Sequence, residues 1–391
     1  MDSNLLLTLK LTELIMKTFP KLTNEPMGNC TNDITNCREE KKRAYASRRM
    51  LQRTPVLMSL VCRVALLLLL LVPVGCSADD DGERQTTARM RGSFIQSWMC
   101  SGWSDQRWDQ EMEAFKQAGM EYIIFTNALY DDNKGNVESL FPFRPDVHCS
   151  SNAIERCLRS AQSHNIKVYI GINFCEGWWH VTDGEWLKSQ MRVGNEVVDA
   201  LVKAYKMKYP KAMYGWYWVW EVDNLNWQTS DKQALLAECL SISVAHRNEV
   251  TPDMPVMMSP FANYKVGADA RQYGAMWRQV FSQVPFRKGD IFVPQDCIGA
   301  GGLTLDNVDS WMKEMHDAVK ADGRLEFWIN VETFTSDFRR APIERIKRQV
   351  EHATQFTDNM ICFAFSHYNS PYAAGDEYFR DFVSEICTPR R

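Results

Sequence analysis

The sequence predicts a (β/α)8 barrel, residues 91–391, behind an amino-terminal extension, residues 1–90, that stands outside the fold. Three observations lead there. From Arg91 onward, short β-type hydrophobic runs alternate with amphipathic stretches of helical length, the pattern of a parallel sheet with crossover helices. Eight such pairs fit in roughly 300 residues, the usual size of this barrel. No glycine-rich turn follows the first strand, as an open dinucleotide-binding sheet would require. Cys100-Ser101-Gly102-Trp103 stands there instead, and Gly299, Gly301 and Gly302 after the sixth strand have the wrong spacing for that turn.

The expected strands are Ser93 to Met99, Tyr122 to Ala128, Lys167 to Asn173, Tyr214 to Glu221, Pro255 to Ala262, Asp290 to Asp296, Leu325 to Phe334 and Met360 to Asn369. A helical pattern follows each. Ser104, Asn152, Ser230 and Thr304 with Asp306 are expected helix caps, because their short polar side chains can accept from the free N–H groups of a first turn. Gly119 and Gly323 are expected to close helices, since glycine enters the left-handed conformation without a Cβ clash. The segment from Tyr130 to Ser150 is too long for a simple connection and reads either as a specificity wall at the catalytic end or as a cover for the barrel's side.

Ahead of the barrel, VALLLLLLVPV from Val64 to Val74 follows Arg53 and Arg63 and precedes Gly75-Cys76-Ser77-Ala78 and an acidic run. An apolar run of this length suits a secretory signal, at about 58–78, better than a bilayer-spanning helix, which needs about 20 residues. Pro73-Val74-Gly75-Cys76 also resembles a lipoprotein cleavage box, so a lipid anchor at Cys76 and plain secretion are both open. Either outcome exports the protein to the cell surface or beyond. Membrane association is expected only through that anchor or an uncleaved signal. Export permits disulfides among the eight later cysteines, and buried free thiols are the alternative.

Composition narrows the chemistry. A net charge of -4, with Lys and Arg scattered among acids, offers no basic face for nucleic acid. The seven histidines include no H-x-H or H-E-x-x-H, so no metal site is expected, and no motif implies a cofactor. The strand-7 exit, Thr335-Ser336-Asp337-Phe338-Arg339-Arg340, lacks the glycines of a phosphate loop, and no G-x-S-x-G elbow appears.

Active sites of this fold lie at the carboxyl ends of the strands. The polar and aromatic residues there are Gln96 and Trp98 on the first strand, Asn173 on the third, Glu221 and Asp223 on the fourth, Gln295 and Asp296 on the sixth, Asn330 and Glu332 on the seventh, and His367 and Tyr368 on the eighth. Side chains alternate along a strand, so an inward Glu221 shares its side with Val219 and Tyr217, while Trp216, Trp218 and Trp220 face the helices. Glu221 and Glu332 would then face one another across the barrel mouth. Cleavage of a glycosidic bond needs one carboxyl group to protonate the leaving oxygen and a second to act as nucleophile or to activate water, and this pair supplies both. Gln295, Asp296, Asn173 and Asn330 are placed to hydrogen-bond sugar hydroxyls, with Asp223 and Gln96 near them. Trp98, Trp178 and Trp179 are placed to stack on sugar rings, and Tyr368 to orient the nucleophile. Asp296 is the competing candidate for a catalytic acid, and His367, alone on an apolar strand, reads more readily as a satisfied structural histidine than as a substrate contact.

The segments Tyr214-Gly215-Trp216-Tyr217, Pro294-Gln295-Asp296 and Trp328-Ile329-Asn330-Val331-Glu332-Thr333-Phe334 resemble an uncharacterised TIM-barrel family, a domain of unknown function related to clan A glycoside hydrolases. The resemblance covers about Gly92 to Cys387. It implies that Glu221 is the acid/base, that Glu332 is the nucleophile, that the mechanism is retaining, and that the partner is an oligo- or polysaccharide. In clan A an Asn precedes the acid/base, and this chain has Trp220 there. That departure keeps a second reading open: a barrel that binds carbohydrate without cleaving it.

Overall fold

The computed structural model describes residues 88–180 and 183–387; the expected signal segment and Cys76 lie outside the described residues. Eight parallel strands form the central sheet: β1 Arg89–Ile95, β2 Tyr122–Phe125, β3 Lys167–Gly171, β4 Met213–Trp218, β5 Val256–Met258, β6 Ile291–Phe292, β7 in two segments, Glu326–Phe327 and Ile329–Glu332, and β8 Asn359–Phe363. Neighbouring strands pair in sequence order, and β1 pairs with β8. The first segment of β7 pairs with β6 and the second with β8, so both edges of the sheet belong to one stretch of chain on either side of Trp328. The sheet therefore closes into a barrel, as the periodicity predicts. Helices α1 Asp105–Gln117, α2 Ala153–His164, α3 Gly184–Leu201, α4 Ser230–Val250, α5 Ala270–Phe281, α6 Val308–Asp322, α7 Ile343–Ala353 and α8 Asp376–Phe382 follow the strands in turn.

Local chemistry explains most boundaries. Ser104 accepts from the N–H of Arg107 at 3.1 Å and starts α1. Gly119 and Gly323 take φ of 68° and 73°, where only glycine is unstrained. Two expected caps move. Thr229, not Ser230, accepts from Lys232 to begin α4, and α6 starts only at Val308, because the Asn307 side chain accepts from the N–H of Thr304 and holds that turn outside the helix.

Every strand ends before its expected limit, and at β1 and β8 this alters the catalytic end. β1 stops at Ile95 because the Ser97 N–H turns to the Thr126 hydroxyl, and Ser97–Cys100 coils into a helical turn that takes Trp98 off the strand. β8 stops at Phe363. The Phe365 N–H donates to the Ser93 hydroxyl at 2.7 Å, and Phe365–Asn369 forms a wide helical turn that carries His367 and Tyr368.

The barrel interior is filled in layers. Tyr122, Tyr169, Tyr214 and Trp328 pack at the amino-terminal end of the strands, with the Arg91 guanidinium 5.1 Å from the Tyr122 ring and 5.3 Å from that of Trp328. Phe94, Tyr217 and Phe363 form the layer above. The register between β3 and β4 shifts at Tyr214, and beyond it alternation along β4 holds: Tyr217 points in, and Trp216 points out to donate to the Thr251 hydroxyl at the end of α4. Burying each such ring stabilises the fold by roughly 1.5–3 kcal/mol.

The segment beyond β2 does two things. Leu129–Asp131, Val137–Ser139 and His148–Cys149 join Asn173–Cys175 in a second, four-stranded sheet at the exits of β2 and β3. Phe141 is meanwhile buried against Phe143 and Tyr205, and Arg144 pairs with Glu196 of α3, so this part covers the helices. All eight cysteines of the described residues are free thiols, seven of them buried, which decides against disulfides within the barrel.

Candidate active site

Glu221 stands just beyond β4, half-buried. Its Oε1 accepts from the Gln295 amide at 3.0 Å, and Gln295 donates as well to the carbonyl of Ser259 at 3.1 Å. Burial lifts the Glu221 carboxyl to about 7; the charge of Asp223 adds to this, and the Gln295 hydrogen bond opposes it.

Glu332 ends β7 and is 2% exposed. Its Oε2 accepts from the backbone N–H of Ala300 at 2.6 Å. That approach depends on Gly299, where a Cβ would lie 2.9 Å from the same oxygen and 2.6 Å from the carbonyl of Phe334. Burial raises the Glu332 carboxyl above the usual range, as do the charges of Asp296 and Glu221, while the Ala300 N–H and Arg345 work the other way. Neither carboxylate forms an ion pair among the described residues, so the rim salt bridge that would explain a strand-end Glu on structural grounds is missing.

The backbone of Glu332 is pinned from three directions. Its N–H donates to Asp296 Oδ1 at 3.2 Å, and its carbonyl accepts from Arg345 at 2.9 Å and from Gln349 at 3.0 Å. Gln349 also donates to Asp296 Oδ2 at 2.6 Å. Two side chains one turn apart on α7 thus fix the end of β7.

With this geometry in view, residues 90–375 match the family described as Domain of unknown function (DUF4434). The chain belongs to the DUF4434 family. Among solved structures, a candidate alpha-L-fucosidase from Bacteroides thetaiotaomicron superposes with a TM-score of 0.63 at 18% identity, over 77% of this chain and 97% of its own. The beta-galactosidase of Marinomonas ef1 superposes with a TM-score of 0.50 at 9% identity, over 75% of this chain and 58% of its own. At these identities the likeness is one of fold, and the fold neighbours are glycoside hydrolases. No curated protein matches the sequence.

Within this DUF4434 barrel the structure brings together some expected site residues and disperses others. Glu221, Gln295, Asn330 and Glu332 gather at one end; Asn330 lies beneath Glu332 and donates to the Ser259 hydroxyl at 3.4 Å. Burial, together with the charge of nearby Glu332, pushes the Tyr368 phenol up to about 12. Gln96 Oε1 is 2.9 Å from His367 Nδ1, the Trp98 ring meets the His367 ring edge-on at 5.5 Å, and burial keeps His367 neutral by lowering its pKa. Trp179 stays half-buried between Phe174 and Phe261, at 6.2 and 6.4 Å.

Four expected ligands of substrate are used by the scaffold. The Asn173 amide donates to the Gln190 carbonyl and packs against Gly194, both on α3. Asp223 is buried and accepts from the N–H groups of Leu225 and Asn226 and from the Asn226 amide, closing the turn after β4. Trp178 is buried among Trp218, Trp220 and Trp227, and its indole donates to the Glu221 carbonyl at 2.8 Å. Asp296 gives both oxygens to backbone and Gln349 donors, so it positions Glu332. The sequence reading missed Ala300, Gln349, Arg345 and Ser259. The glycines at 299, 301 and 302 were the visible signal for Ala300, since they mark a loop that approaches other groups closely. Among the described residues no group of three or more His, Cys, Asp or Glu could hold a metal ion.

Proposed function

We propose that this protein hydrolyses a glycosidic bond, with Glu221 as acid/base and Glu332 as nucleophile in a retaining mechanism. The observation that carries this reading is that two carboxyl groups at the ends of strands 4 and 7 stand at the catalytic end of the barrel on either side of Gln295, which donates to Glu221 and bridges Asn330 beneath Glu332, without a cation bound to either. A carboxyl held near 7 is protonated often enough at neutral pH to donate to a leaving oxygen. Gln295 keeps it aimed, and the Ala300 N–H holds one oxygen of Glu332 so that the other is left to attack. Once a sugar hydroxyl donates to it, Glu332 would be drawn towards its ionised form.

The test is a screen of aryl glycosides and oligosaccharides, followed by Glu332→Gln and Glu221→Gln on whatever is cleaved. Each substitution should lower kcat/KM by roughly three orders of magnitude or more, and proton NMR of the first product should show retained anomeric configuration. An inverted product, or turnover that survives Glu332→Gln, would overturn the assignment. The second reading, binding without cleavage, is favoured by one observation: Trp220 packs into the Phe174 and Trp178 rings, so position 220 offers the sugar no side-chain amide. It predicts binding with no turnover in any variant.

A further inference from the structure

The exit of β7 is a tight hairpin in which Phe334 bridges Arg340, and the Thr335 hydroxyl accepts from the N–H of Arg339 at 3.2 Å. At its tip Phe338 takes φ of 59°, the left-handed conformation that glycine or asparagine fills with less strain than an aromatic residue. Its ring is half-buried and nearly parallel to that of Phe334, with an interplanar angle of 5° and centroids 6.0 Å apart. Phe334 in turn stacks on Tyr368 at 5.8 Å, and Tyr368 on His367 at 4.1 Å. Four rings therefore form a ladder that passes Glu332 and ends against Trp98. Phe334 and Tyr368 are buried, whereas Phe338 at the outer end is partly exposed to solvent.

We propose that Phe338 is a stacking platform for a sugar unit beside the one held between Glu221 and Glu332, so that the substrate is a chain of at least two pyranose units. The proposal rests on the glycosidase reading above. Aromatic faces bind the C–H faces of pyranoses by dispersion and desolvation. The ladder fixes the ring in advance, so little rotamer freedom is lost on binding. A turn that needed only to reverse the chain would be less strained with glycine at 338, and the aromatic residue there is accounted for by what its exposed part contacts.

The experiment uses the full chain carrying Glu332→Gln, which stops turnover, on an array of hexose, pentose, deoxyhexose and uronic-acid chains of one to six units. The tightest-binding chain and its single terminal sugar are then measured by calorimetry with Phe338→Gly and Phe338→Tyr added. Phe338→Gly should weaken the chain about tenfold, a stacking contact's worth, leave the single sugar unchanged, and keep or raise the melting temperature by relieving the backbone. Phe338→Tyr should restore chain binding. Equal chain affinity in Phe338→Gly would overturn this proposal alone, and so would a lowered melting temperature, which would mark the ring as packing. If nothing on the array binds, the carbohydrate reading falls and this proposal falls with it.

Discussion

Replacing Glu221 by Gln tests the electrostatics of the site without a substrate. The carboxyl moves from an ordinary 4.5 to about 7 on folding, chiefly by burial. A carboxyl with a raised folded pKa leaves the native state holding more protons than the unfolded chain between those two values, so stability falls as pH rises through that window. The span from 4.5 to about 7 corresponds to about 3 kcal/mol at 1.36 kcal/mol for each tenfold change in proton activity. Glu221 keeps partial contact with solvent, which screens part of this and leaves about 2 kcal/mol. Gln has the same shape, is never charged, and still accepts from Gln295. Glu221→Gln should therefore match the parent protein near pH 4 and exceed it by about 2 kcal/mol near pH 8. Urea unfolding followed by tryptophan fluorescence at the two pH values measures this. A difference that does not change with pH, or one that favours the parent at pH 8, would refute a desolvated acid at position 221 and with it the proposed proton donor.

Two further outcomes follow from the hydrogen bonds. Trp178→Phe leaves the Glu221 carbonyl without its indole donor and should cost about 1–3 kcal/mol of stability with sugar affinity unaltered, by thermal melting and calorimetry; lost affinity at unchanged stability would return Trp178 to the binding face. Asp296→Asn removes the neighbouring charge that most raises Glu332, so the acid limb of kcat/KM should move down by roughly one pH unit. A limb that stays in place or moves up would separate Asp296 from the ionisation of Glu332.

The barrel was legible because its two periods differ: an alternation of two along strands and a repeat of about 3.6 along helices do not mimic one another. Inward Tyr217 and outward Trp216 followed from parity alone. What parity cannot reach is the chain just past a strand. Gln96 to Met99 and Phe365 to Asn369 continue an apolar pattern that reads as strand, yet single hydroxyls, those of Thr126 and Ser93, capture the next N–H and turn the backbone into a helical coil. The same limit misplaced Asn173. It pairs with Leu129 in the second sheet instead of extending β3, and this aims its amide at α3.

Glu221 and Glu332 were legible because acids at strand ends are few, whereas the groups that hold them come from elements with no sequence mark of that role. Arg345 and Gln349 look like any surface pair on a helix until α7 is seen against the end of β7. Their arrangement also bears on why the acids are there. Three carboxyl groups, Glu221, Asp296 and Glu332, are drawn out of water around one centre, each raised by burial, and Arg345 gives its hydrogen bonds to carbonyls instead of pairing with any of them. Apolar side chains of similar volume would make the empty barrel more stable at neutral pH. Asp296 is compensated by the donors it holds in place, but Glu221 and Glu332 each keep an oxygen with no protein donor among the described residues. Hydroxyl donors from a bound sugar would supply the missing hydrogen bonds, and a proton shared with a leaving oxygen would use the raised pKa. On this argument the instability of the empty site and its proposed activity have one cause.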